Sequence, residues 1–233
     1  MKEIRTIHYY LLLSFLAVLL IFLMIIIKPN IINSNTFLEK LLVVGLFFTS
    51  CIIGISIAIS PNWWKKIKHK TKNTQNFKKL KTCRSFRGHH PDCIKFKDHI
   101  ITFNNKPRCT GCLGLIIGAF TSILLIMLYL ILPLNFSIDY YYALFISGII
   151  ILFLVYGEIL FIKRNRPFHI LLSSLLIISF LMITLSILEI TKNSIYAILT
   201  ILLCFLWLNT RIYISNQQHY RICDSCKKEC KSY

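Results

Sequence analysis

The sequence predicts an all-α integral membrane protein: six transmembrane helices with a cytoplasmic loop and tail rich in cysteine and histidine. Three observations carry that prediction. Of 233 residues, 56% are hydrophobic and 15% charged, whereas an ordinary soluble domain carries about 25% charged residues. The apolar residues are gathered into long runs, each near the roughly 20 residues needed to cross a hydrocarbon core about 30 Å thick. The basic residues outside those runs fall on alternate connections, as the positive-inside bias demands.

The runs come in order along the chain. Tyr9–Ile27 contains no charge. It follows Lys2 and Arg5 as a signal-peptide h-region would, but it is longer than such a region and ends without a small-residue cleavage site, which predicts a retained helix. Leu41–Ser60 and Leu113–Leu132 are also free of charge. Tyr140–Ile162 carries one carboxylate, Glu158, and Phe168–Leu188 is charge-free with His169 at its edge. Ser194–Thr210 is shorter, but a snorkelling Arg211 lets the helix run to about Ile214. Period-two alternation is absent from these runs, which argues against a β-barrel. The expected organisation is two helices in 1–60, a basic loop with a Cys/His cluster in 61–112, four helices in 113–214 and a Cys-rich tail in 215–233.

Orientation follows from charge. With six crossings, every Lys and Arg except Lys28, Lys40 and Lys192 falls on one side, out of 27. That side is predicted to be the cytoplasm, with both termini inside and the chain in the cell (inner) membrane. Trp63 and Trp64 at one boundary, and Tyr140, Tyr141 and Tyr142 at the other, match an interfacial aromatic belt. Glu39, Asp139 and Glu189 fall on the outer boundary and are expected to be solvated. The stretch 65–81 carries Lys65, Lys66, Lys68, Lys70, Lys72, Lys78, Lys79 and Lys81. Such a segment suits anionic lipid headgroups. Nucleic acid is disfavoured, since Phe77 is the one aromatic there to stack a base.

The chain has nine cysteines. Cys51 and Cys204 fall inside apolar runs and are expected to pack as small hydrophobes. The others lie in segments assigned to the cytoplasm, where structural disulfides are disfavoured and metal ligation is the expected use. The loop reads Cys83-Arg-Ser-Phe-Arg-Gly-His89-His90-Pro-Asp-Cys93 and then Pro107-Arg-Cys109-Thr-Gly-Cys112. Cys-x-x-Cys lets two thiolates converge on one ion, with Gly111 supplying turn flexibility. Cys83 and Cys93 are the first choice to complete a tetrahedral set, with His89 or His90 as replacements. The tail offers a second set: His219, Cys223, Cys226 and Cys230. Mixed sulfur and imidazole donors favour zinc over an iron–sulfur cluster. Thiol redox chemistry is the alternative, because Cys109 and Cys112 stand where the third helix begins and a helix N-terminus activates a thiolate. No βαβ pattern surrounds them, as a thioredoxin-like motif requires.

The segment Pro107-Arg-Cys109-Thr-Gly-Cys112-Leu-Gly114-Leu-Ile-Ile-Gly118 resembles a group of uncharacterised prokaryotic membrane proteins, the domain of unknown function 2085. Their hallmark is similar to Pro-x-Cys-x-x-Cys-x-Gly-x-x-x-Gly running into a membrane helix, preceded by an element like Cys83-Arg84-Ser85-Phe86 and His90. The match covers 83–118. It departs from the family at Thr110-Gly111, Leu113 and Ile116, and the tail cluster lies outside the pattern. The resemblance implies that 83–112 is a functional unit and carries no reaction with it.

Gly114, Gly118 and Ser122 form a small-residue face for close helix approach, within the chain or in a homo-oligomer. Glu158 is the ionisable group set well inside a run. It is a candidate for catalysis by default, or for an ion pair with a basic residue near the same interface. His169 is expected at similar depth, so both fit a constellation beneath the cysteine loop. Phosphate loops, paired carboxylates and Gly/Pro-broken helices are missing, which disfavours a transporter. The function class expected is a membrane-anchored metal-binding scaffold or binding module. The rival is a membrane enzyme, thiol-redox or metal-dependent, using the Cys/His cluster with Glu158.

Overall fold

A computed structural model describes residues 2–27, 37–59, 99–103, 106–132, 136–161 and 165–224. Among them, six helices are each long and apolar enough to cross a membrane. They are α1 (Lys2–Ile26), α2 (Phe37–Ile59), α3 (Thr110–Ile131), α4 (Ile138–Phe161), α5 (Arg166–Thr191) and α6 (Ser194–Asp224). Ile, Val and Phe dominate several of them, and these residues are poor helix formers in water. In hydrocarbon that preference is overridden, because every backbone N–H and C=O must be satisfied within the segment.

The bundle is organised around α5. Its apolar span is 67% buried, against 22–39% for the other helices, and it packs on α3, α4, α6 and α1. It is also the helix richest in serine and threonine. Each of these is satisfied locally: Ser174 donates to the Leu171 carbonyl at 2.7 Å, Ser179 to Leu176 at 2.7 Å, Thr184 to Phe180 at 2.7 Å and Thr191 to Ile187 at 2.7 Å. A buried hydroxyl that bonds its own helix costs little, and its small size lets neighbours approach.

The closest approach is between α3 and α5. An added Cβ at Gly114 would stand 2.5 Å from the Ile170 carbonyl oxygen, and one at Gly118 would stand 2.8 Å from the Ser174 Cα. Ser122, on the same face, is fully buried. The close contact these small residues permit is thus made with α5 of the same chain.

Three sequence expectations are corrected. The segment assigned wholly to a loop contains a β-hairpin, β1 (Ile100–Phe103) and β2 (Lys106–Cys109), antiparallel with Ile100 opposite Cys109 and Phe103 opposite Lys106. Pro107 is tolerated there because each strand of a two-stranded ribbon has an open edge. The last helix does not stop near Ile214 but continues to Asp224. Glu189 is not solvated. It is 4% exposed and accepts hydrogen bonds from Lys40 Nζ at 2.6 Å, from the Tyr129 hydroxyl at 2.5 Å and from Lys192.

The Glu189 cluster ties α2, α3 and α5 together at one end of the bundle. Lys192 caps α5 with φ 52° and its N–H bonded to the Leu188 carbonyl, and Asn193 Oδ1 then accepts the Ile195 N–H at 2.9 Å to open α6. Glu189→Gln keeps the shape and removes the charge that draws both lysines. The expected cost is about 2 kcal/mol, read as loss of helix in reversible unfolding in mixed micelles.

Candidate functional site

The opposite end of the bundle gathers the start of α3, the end of α4, the start of α5 and the last third of α6. β2 runs directly into α3, so Cys109 is the N-cap residue, with extended backbone (φ −68°, ψ 128°). Cys112 lies three residues on, in the first helical turn. The N-cap residue and the third residue of a helix present their side chains on one side of its entrance, and the Cys112 thiol lies beside that of Cys109. Both side chains are half-buried. The hairpin is held to this entrance by Thr110, whose hydroxyl donates to the His99 carbonyl at 3.2 Å.

Gly111 serves a purpose other than the one its spacing suggested. No glycine among the described residues has positive φ, so Gly111 is ordinary helix rather than a special turn. Its value is space. A Cβ there would stand 3.3 Å from His169 Nε2 and 3.9 Å from Cys109 Sγ. Glycine lets the imidazole of α5 lie over the first turn of α3.

His169 is oriented from behind. Its Nδ1 stands 2.9 Å from Glu158 Oε1 and 3.2 Å from Oε2, and both side chains are nearly inaccessible, at 7% and 1%. Glu158 therefore pairs with a histidine of the neighbouring helix. With Nδ1 committed to the carboxylate, Nε2 is the nitrogen turned towards Gly111 and Cys109. A carboxylate behind an imidazole is the arrangement that fixes the tautomer of a metal-ligating or base histidine.

Arg211 completes the polar layer. The sequence reading had it snorkelling outward, but it is 5% exposed and its guanidinium donates to the Ser173 hydroxyl. That hydroxyl in turn donates to the His169 carbonyl at 2.5 Å. The inward turn is possible because α6 is anchored on both sides. Trp207 Nε1 donates to the Ser14 carbonyl at 3.0 Å, the Ser14 hydroxyl to Thr210 at 2.8 Å, and the Tyr156 hydroxyl to the Trp207 carbonyl at 2.6 Å.

These groups face one cavity of about 400 Å³, whose lining includes His99, Cys109, Cys112, His169 and Arg211. Glu158 and His169, expected at similar depth, are in contact, while the loop histidines expected beside them lie outside the described residues. His99 and the inward Arg211 add to this layer beyond what sequence spacing suggests. The signal for His99 lay in the strand-like Ile100-Ile101-Thr102-Phe103, followed by Asn104-Asn105, a hairpin signature. Cys83, Cys93, His89, His90, Cys226 and Cys230 lie outside the described residues. His219 and Cys223 fall on the last turns of α6, and their side chains are likewise outside the described set. Cys51 and Cys204 are buried in the apolar core, at 6% and 5% exposure. Among the described residues, no three of His, Cys, Asp and Glu stand close enough together to hold a metal ion. Compared with known proteins, the chain matches no family model, no curated protein and no solved structure.

Proposed function

We propose that this is a multi-pass membrane protein whose cysteine end is a cytoplasmic metal-binding unit, with zinc as the metal. The observation that supports it best is the presentation of two neighbouring cysteine side chains at the entrance of α3, facing one cavity with two imidazoles. Sulfur and imidazole nitrogen are the donors zinc prefers, in a tetrahedral set of four. Cys109 and Cys112 supply two. The others would come from Cys83 and Cys93, with His89 or His90 as replacements. Residues 83–118 are also where the chain resembles the domain of unknown function 2085. A second set would use His219, Cys223, Cys226 and Cys230. The side assigned to the cytoplasm follows from the segregation of Lys and Arg, and the lysines of 65–81 would lie on anionic lipid.

A second reading, thiol redox chemistry, rests on the Cys109–Cys112 contact itself. Two thiols this close at a helix N-terminus are placed to form a disulfide with an external oxidant.

Elemental mass spectrometry on protein purified anaerobically in mild detergent separates the two. Stoichiometric zinc is expected, lost selectively in Cys109→Ser/Cys112→Ser, while Cys223→Ser/Cys226→Ser reports on the tail. Iron with visible absorbance would replace zinc with an electron-transfer cluster. Folded, metal-free protein with reactive thiols would overturn the zinc reading in favour of redox chemistry.

A further inference from the structure

The cavity at the cysteine end has an apolar wall that metal ligation does not use. Cys109 and Cys112 stand in that wall, with their thiols side by side at the entrance of α3. Most of the remaining lining is apolar, with the rings of Phe47, Phe180 and Phe205 among it. The volume of about 400 Å³ lies within the roughly 300–1,000 Å³ of small-molecule sites.

Asn209 also lines the cavity. It belongs to the last membrane-crossing segment, Ser194–Gln218. It is exposed, and its amide has no hydrogen-bond partner among the described residues. Ser50, another lining residue, is instead satisfied by the Leu46 carbonyl of its own helix at 2.7 Å. An amide within a membrane-spanning helix costs free energy until a polar group meets it.

Oxidation of the cysteine pair breaks two S–H bonds and forms one S–S bond, releasing two electrons and two protons. The wall restricts the acceptor. Glutathione disulfide or a peptide disulfide would bring charges and amides into apolar surroundings, which is costly. A quinone is flat and uncharged, suits aromatic walls and offers carbonyl oxygens that accept from an amide –NH₂. It takes up two electrons and two protons and leaves as the quinol, so the exchange balances without a further reactant.

We propose that this cavity binds a quinone, which oxidises the Cys109–Cys112 pair, with the Asn209 amide donating to a ring carbonyl. This assignment rests on the thiol-redox reading of the pair, whose oxidant it names, and applies to the pair without metal.

Full-length protein, metal-free in phosphatidylcholine nanodiscs, is reduced and mixed anaerobically with decylubiquinone. Absorbance follows the quinol, and peptide mapping after alkylation reads the disulfide. Quinol stoichiometric with the chain is expected, together with a Cys109–Cys112 disulfide. Both should be lost in Cys109→Ser/Cys112→Ser and kept in Cys223→Ser/Cys226→Ser. Asn209→Leu should raise the quinone concentration at half-maximal rate about tenfold, the effect of one lost hydrogen bond. Gly54 lines the cavity and a Cβ there meets nothing within 4 Å, so Gly54→Trp should fill the space and block the reaction with helicity unchanged. Diamide, a small water-soluble thiol oxidant, is the control in every variant. The two cysteines also border a second recess beside Arg108, so diamide should join them even with the cavity filled. Two results would overturn the quinone and leave the redox reading standing: a disulfide formed by diamide but not by the quinone, or quinol formation that Gly54→Trp and Asn209→Leu leave unchanged. Failure of both oxidants to join the two cysteines would overturn both readings.

Discussion

Gly118→Ala is expected to cost about 3 kcal/mol or more. The added Cβ would meet the carbonyl oxygen of Ser174, its Cα at 2.8 Å and its carbonyl carbon at 3.0 Å. All three are backbone atoms on the most buried helix, so no rotamer change relieves the clash. α3 and α5 must separate, and packing at protein density does not absorb such a shift locally. Gly114→Ala meets Ser173 Cβ and the Ile170 carbonyl in the same way. Gly45 and Gly157 provide the contrast, because an added Cβ at either meets nothing within 4 Å. Unfolding in mixed micelles should rank Gly118→Ala and Gly114→Ala far below Gly45→Ala and Gly157→Ala. Similar stabilities for the four variants would mean that α3 and α5 are not in this close register.

His169→Leu is expected to destabilise by about 3–5 kcal/mol, because it strands a buried carboxylate. Glu158 is 1% exposed and His169 is its partner at 2.9 Å. Glu158→Gln should cost less, since an amide still accepts from Nδ1–H without a charge to desolvate. The informative variant is Glu158→Leu/His169→Leu. Replacing both members of a buried pair with apolar residues is often neutral or stabilising, so the double variant should be more stable than His169→Leu alone. If the pair serves structure only, the double variant keeps metal content and thiol behaviour. If His169 Nε2 is a ligand or base at the cysteine layer, the double variant restores stability but not those properties. Additive destabilisation would remove the pair as a unit.

The helices were legible because each is a solution to a local problem. A run such as Leu113–Leu132 has no charge to solvate and no water to bond its backbone, so helix follows from composition and length. The same reasoning placed the Cys-x-x-Cys at a helix entrance, where the structure has it. It failed where a neighbour supplied what the local sequence lacked. Glu189, read as solvated, is buried because Lys40 arrives from α2 and Tyr129 from α3. Arg211, read as snorkelling, turns inward because Ser173 on α5 accepts its guanidinium. The hairpin before Cys109 was hidden by the strong apolar signals around it, since a strand of four residues is too short for its period to stand out.

By itself, then, the sequence determined how many apolar helices there are, where most of them begin, and that sulfur and imidazole donors cluster in the segments between them. These depend on composition within about 20 residues and on the hydrophobic thickness each helix must match. Only the tertiary structure decided that α5 is the centre, that Gly114 and Gly118 meet it, that Glu158 orients His169 towards Gly111, and that Arg211 turns inward onto Ser173. Each of those depends on which helix faces which, and helix order is fixed by the sum of many small packing contacts that no single segment contains.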